Sequence, residues 1–131
     1  MPEFVETRFQ AVHQVLEEYY DALYHGDAKR LGHVFHSDAH YFTASGPELL
    51  HLDMQSYLPI VSQRPAPSAS QAAYWMEVDS IEFAGPRTAM ARLRCTLLSK
   101  DYTDFLTLGY LDGQWQILSK VFHFVDRSTS I

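Results

Sequence analysis

From residue 74 to residue 124 apolar and polar side chains alternate with a period of two, which predicts strands over 74–83, 88–98, 102–111 and 114–124. Asp112-Gly113 separates the last two and is a strong hairpin signal. A two-residue turn there predicts the pairs Tyr110–Trp115, Leu108–Ile117, Leu106–Ser119, Asp104–Val121 and Tyr102–His123. Gly85-Pro86 and Lys100-Asp101 are the expected turns between the other strands. With those turns Glu77 faces Arg94 and Asp79 faces Arg92 on one side of the sheet. The other side carries Tyr74, Met76, Val78, Leu93, Cys95, Leu97, Asp104, Leu106 and Leu108, which makes it the core side.

The first half has helical spacing instead. Val5, Phe9, Val12, Leu16, Tyr19, Tyr20 and Leu23 mark one face of a helix over 3–24 that ends at His25-Gly26. Asp27 is the expected N-cap of a helix over 28–35 that buries Leu31, Val34 and Phe35. Ser37-Asp38 reads as a turn, 40–43 and 48–52 as short strands, and Asp53 as the cap of a helix over 54–62. Residues 64–70 form a loop too short to separate domains, so 1–131 is expected to be one domain. Helices followed by strands define an α+β fold.

Composition narrows the function classes. A net charge of −6 without any Lys/Arg cluster argues against nucleic acid and anionic membranes as partners. The lone Cys95 excludes an internal disulfide and a cysteine-based zinc site. No apolar run approaches the ~20 residues of a membrane span, and MPEFVETRFQ lacks the features of a signal peptide, so a cytoplasmic protein is expected.

The segment EYYDALYHGDAKRLGHVFHSDAHYF resembles the opening of the NTF2-like superfamily. It has a helix ending in Tyr-x-Ala-Leu, a Gly-Asp cap, and a second helix closing on Phe before an Asp-Ala turn. The terminal DYTDFLTLGYLDGQWQILSKVF is similar to the superfamily's final strands, and looks most like its SnoaL-like or lumazine-binding branch. The resemblance covers roughly residues 15–124 and implies a cone: N-terminal helices packed in the concave face of a strongly curved, mainly antiparallel sheet. It further implies a pocket at the open end and a homodimer through the outer sheet face. Members include isomerases, dehydratases, cyclases and proteins without known activity, so fold alone does not assign function.

Asp104 is the leading candidate catalyst, because an inward carboxyl in an apolar pocket is pushed towards a neutral-pH acid or base. Equally, it is a buried structural carboxyl held by a tyrosine or histidine. His123 shares its face by the expected register and would shuttle protons or orient the carboxylate. Tyr20 matches the helix-one tyrosine that in some members bonds substrate oxygen; its other reading is core packing. Tyr74, Tyr102, Leu97, Tyr57 and Tyr41 are the candidate lining residues for a small apolar molecule. The string His36-x-Asp38-x-His40 is not read as a metal site, since a turn interrupts it and no third ligand has compatible spacing. No cofactor is called for.

Trp75, Ile81, Met90, Leu98, Phe105, Leu118, Phe122 and Phe124 fall on the outer face among charges that include Lys120, which favours a dimer interface. Two functions follow as expectations. One is cofactor-independent proton transfer on a small cyclic or polyketide-like compound; the other is a non-catalytic ligand-binding or dimerisation domain.

Overall fold

A computed structural model describes residues 2–127; Met1, residues 128–131 and the side chains of residues 2–6, Val5 and Glu6 among them, lie outside the described part. The elements run α1 (Pro2–Tyr24), α2 (Ala28–Val34), β1 (Phe35–Thr43), β2 (Leu50–Asp53), α3 (Met54–Gln63), a 3-10 turn (Pro67–Ser70), β3 (Trp75–Phe83), β4 (Thr88–Leu97), β5 (Lys100–Leu111) and β6 (Gln114–Asp126). The strands form one six-stranded sheet in the order β2-β1-β6-β5-β4-β3, antiparallel except for the β1–β6 pair.

Local chemistry sets the boundaries. Gly26 takes φ +64° after α1, a conformation a side chain disfavours. The Asp27 carboxylate accepts from the Arg30 N–H at the start of α2, and Asp53 accepts from the Ser56 N–H at the start of α3. The β5–β6 hairpin turns on Asp112 and Gly113 with φ of +52° and +80°, the left-handed pair a tight hairpin needs. Val12, Leu16, Tyr19, Tyr20 and Leu23 of α1 pack on Leu93, Cys95, Leu106, Leu108 and Ile117 of the sheet, and all of these are buried.

Four expectations about register are corrected. The β4–β5 turn is Leu98-Ser99, both at positive φ, rather than Lys100-Asp101. Pairing slides by an even number of residues, so every side chain keeps its face. In β1 there is no turn at Ser37-Asp38; the strand is continuous, with an irregularity between Phe35 and His40. A bulge at Asp79 pairs Ser80 with Arg92 and turns Ile81 towards the core, while Asp79 still bonds Arg92 and Arg94.

The fourth correction matters most. Leu108 pairs with Ile117 as expected, but Thr107 pairs with Ser119, so Leu118 is an extra residue in β6. Beyond that bulge every residue changes sides. Asp104 is flanked by Leu93 and Phe122 instead of Leu97 and Val121, and Tyr102 by Phe124 instead of His123. Lys120 and Phe122 are turned into the core at 4% and 5% exposure, whereas Val121 and His123 face solvent.

Candidate functional site

Asp104 sits in the middle of β5, opposite α1, and is fully buried. The Tyr19 hydroxyl donates to its Oδ2 at 2.7 Å, while its Oδ1 has no hydrogen-bond partner. Burial pushes the Asp104 carboxyl above the ordinary carboxylate value; the Lys120 charge and the Tyr19 bond pull it only partly back. Tyr19 is raised well above a normal phenol by burial and by the Asp104 charge, so it stays protonated and remains the donor.

Lys120 is the residue that sequence reasoning placed on the wrong face. Its Nζ lies among five aromatic rings: Phe122 at 4.7 Å, Tyr19 at 5.1 Å, Tyr41 at 5.4 Å, Tyr102 at 5.7 Å and Tyr57 at 6.0 Å from the centroids. These are cation–π distances. Lys120 pairs with Leu106, two places along β5 from Asp104, so ammonium and carboxyl are diagonal neighbours on one face. Lys120, Tyr19, Tyr41, Tyr57 and Tyr102 wall a small cavity with Leu97, Cys95 and Arg64. Its free volume is about 10 Å³, room for one water at most. Asp104 stands behind that wall, in contact with it through Tyr19. Burial holds Tyr57 and Tyr41 above the ordinary phenol value, and Tyr102 at about 12. Burial likewise pushes the Cys95 thiol up, which leaves it a poor nucleophile.

The other expected site residues divide. Tyr41, Tyr57, Tyr102 and Leu97 do line the cavity. Tyr20 does not: its hydroxyl donates to the Thr96 carbonyl at 2.9 Å and accepts from the Trp75 N–H at 3.1 Å, tying α1 to β3 and β4. The phenol that meets Asp104 belongs to Tyr19, roughly 100° away around the helix. Tyr74 is 52% exposed and donates to Asp21 on the outside of α1. His123 is exposed and its Nδ1 shares a hydrogen bond with the Ser45 hydroxyl at 3.1 Å. His36 accepts from the Asp38 N–H, while His40 pairs with His51 at 2.6 Å.

A second concavity, about 730 Å³, runs between α1, α2 and the β5–β6 hairpin. Ala11, Val15, Val34 and Trp115 give it apolar walls, and it shares no residue with the Asp104 site. Of its charged residues, Glu18 and Arg30 pair with each other at 2.9 Å, and Arg8 donates to the Gly85 carbonyl at 2.9 Å and lies over the Phe83 ring.

The helices packed on one face of a long mixed sheet, with a polar cluster between them, define an NTF2-like, cystatin-like cone. An NTF-2 like protein of unknown function from Silicibacter pomeroyi superposes with a TM-score of 0.83 at 21% identity, over 92% of this chain and 98% of that one. An NTF2-like protein with a cystatin-like fold from Novosphingobium aromaticivorans gives 0.74 at 14% identity, over 95% and 86% of the two chains. A curated protein named aldolase FrzH, from Cladobotryum sp, is 28% identical over 92% of this chain and 94% of its own. Residues 7–123 match the family described as "Putative lumazine-binding". The chain belongs to that family. No helix among the described residues is long and apolar enough to cross a membrane.

Proposed function

We propose that the protein is a cofactor-independent acid–base enzyme that removes a proton next to the carbonyl of a small cyclic or polyketide-like compound. The observation that carries this reading is the Asp104–Tyr19 pair: a fully buried carboxyl with one oxygen held by a phenol and the other unpartnered. The large majority of buried side-chain polar atoms have a hydrogen-bond partner, so the unpartnered Oδ1 favours a working carboxyl over a structural one. Tyr19 faces the cavity, so its oxygen would take the substrate proton as its own proton moves to Asp104 Oδ2. The nearby Lys120 ammonium would stabilise the enolate oxygen that develops. Arg64, which follows α3 directly, and Tyr102, which is half-buried, would swing aside to enlarge the cavity. Enolate formation begins isomerisations, dehydrations and cyclisations alike. It also begins aldol additions, the chemistry named for the relative from Cladobotryum.

The test is deuterium uptake from D2O into the position beside the carbonyl of a panel of small ketones, followed by proton NMR. The wild-type protein should accelerate uptake, and Asp104→Asn should lower the rate by ~10²–10⁴-fold, the usual contribution of a general base. Equal rates with and without protein across the panel would end this reading.

A second reading has its own observation. The 730 Å³ groove already has the volume of a ligand site, while the Asp104 cavity is nearly filled. On that reading the protein binds an apolar molecule there without chemistry. A homodimer through the exposed Trp75, Met90, Phe105 and Val121 would accompany either reading.

A further inference from the structure

The enolate reading treats Lys120 as a fixed charge, but its setting fits a more demanding task. Lysine is almost never fully buried unless it is paired. Lys120 is 4% exposed and ringed by Tyr19, Tyr41, Tyr57, Tyr102 and Phe122. Among the described residues no carboxylate lies within ion-pairing distance of its Nζ, although Asp104 is its diagonal neighbour on the sheet. A bulge at Leu118 is what turns it inward, and bulges often re-aim a side chain beside an active site. The chain has three lysines, and Lys29 is exposed while Lys100 pairs with Asp126. Only Lys120 lines a cavity next to a proton-accepting pair. A desolvated lysine among apolar groups is the usual environment of an amine that bonds covalently to carbonyl carbon.

We propose that Lys120 forms a Schiff base with the carbonyl group of a small ketone or aldehyde, with the Asp104–Tyr19 pair moving the protons. This rests on the acid–base reading of the same site. One ammonium proton first passes through the Tyr19 hydroxyl to the Asp104 carboxylate, which frees the Nζ lone pair. That pair adds to the carbonyl carbon, the C–N bond forms and the C=O π electrons move to oxygen; the C–O bond then breaks as the nitrogen pair forms C=N. Of the three ammonium protons, two leave with that oxygen as water and one stays on nitrogen, so the product is an iminium with no net gain or loss of protons. Asp104, through the Tyr19 hydroxyl, carries them one at a time. The iminium then acidifies the adjacent C–H; the pair takes that proton and leaves a neutral enamine, the carbon nucleophile. The aromatic rings around Nζ stabilise the cation at two stages, as the ammonium before bond formation and as the iminium after it.

The experiment uses the full chain with acetone as the probe, the smallest ketone and the one that needs the least opening of the cavity. Cyanoborohydride is added, the intact mass is recorded, and peptides are mapped. The expected result is a mass gain of one isopropyl group on Lys120, ahead of the better exposed Lys29 and Lys100. Lys120→Arg keeps a cation in the cage but forms no imine; it should lose this adduct while retaining the wild-type fold by circular dichroism. Asp104→Asn should slow its appearance. Labelling confined to the exposed amines overturns the covalent step. If acetone still exchanges deuterium in an Asp104-dependent way in that case, the acid–base reading stands without the imine. If exchange is absent as well, both fall. Undiminished exchange in Lys120→Arg would likewise overturn the covalent step alone.

Discussion

Replacing Tyr19 with phenylalanine removes one hydroxyl and keeps the ring. That hydroxyl donates to Asp104 Oδ2 at 2.7 Å, and Oδ1 has no partner, so Tyr19→Phe leaves both carboxyl oxygens unpaired. A neutral hydrogen bond contributes ~0.5–1.5 kcal/mol and one to a charged group ~1.5–3 kcal/mol, so the loss depends on the charge of Asp104. Burial raises the Asp104 pKa in the folded protein. A group raised in this way contributes stability that is fully present below the unfolded value of ~3.9 and is lost as pH rises through the folded value. The Tyr19 bond works against that rise, so its removal moves the folded value further up. The cost of Tyr19→Phe should therefore be ~1 kcal/mol in acid, where the carboxyl is neutral in both states, and ~2–3 kcal/mol once it ionises. Asp21 and Asp79, whose pKa values are lowered mainly by arginine bonds, titrate alike in both proteins and cancel in the difference. Urea unfolding of both proteins across a pH series, with slopes checked for constancy, measures that difference. A cost that stays flat or shrinks as pH rises refutes the reasoning.

Four other outcomes follow. Tyr20→Phe should destabilise by ~1–3 kcal/mol, because it removes the bonds to Thr96 and Trp75, yet leave any deuterium exchange intact; melting and exchange measured together separate it from Tyr19→Phe. Lys120→Met should move the Asp104 titration further up, since the Lys120 charge is the main influence lowering it; carbon NMR reads the shift. Asp27→Ala should cost about 1 kcal/mol by uncapping α2, a fall of roughly 3–6 °C in Tm. For the homodimer proposed above, the wild type should sediment as a dimer and Phe105→Glu, on the exposed sheet face, as a monomer; a monomeric wild type refutes the dimer, and a variant that stays dimeric refutes this interface.

Much of the fold was legible because two periodicities and a few turn residues carry it. Asp27, Asp53 and Asp112-Gly113 announce their elements by local chemistry alone. The inward direction of Asp104 survived a misplaced β4–β5 turn because the slip was even. Leu98 and Ser99 give no turn signal; both hold positive φ only because the flanking strands close there. The bulge at Leu118 was not legible for a different reason. An extra residue in a strand leaves the alternation intact on both sides and merely reverses its phase, so the period of ILSKVFHF does not reveal the bulge. That reversal exchanged His123 for Lys120 in the site. One signal was available: the uninterrupted register puts Phe122 and Phe124 outside and His123 inside, the less favourable arrangement for burial. Tyr19 and Tyr20 both lie on the apolar side of α1, and only the depth of packing tells which hydroxyl reaches the carboxyl.

The central claim is that Asp104 is a carboxyl tuned by burial to exchange protons through Tyr19. Its carboxyl-carbon NMR titration, assigned with Asp104→Asn, tests that most directly. The expected midpoint lies above the ~3.9 of an unperturbed aspartate and rises further in Tyr19→Phe. A midpoint at or below that value, indifferent to Tyr19, would contradict it.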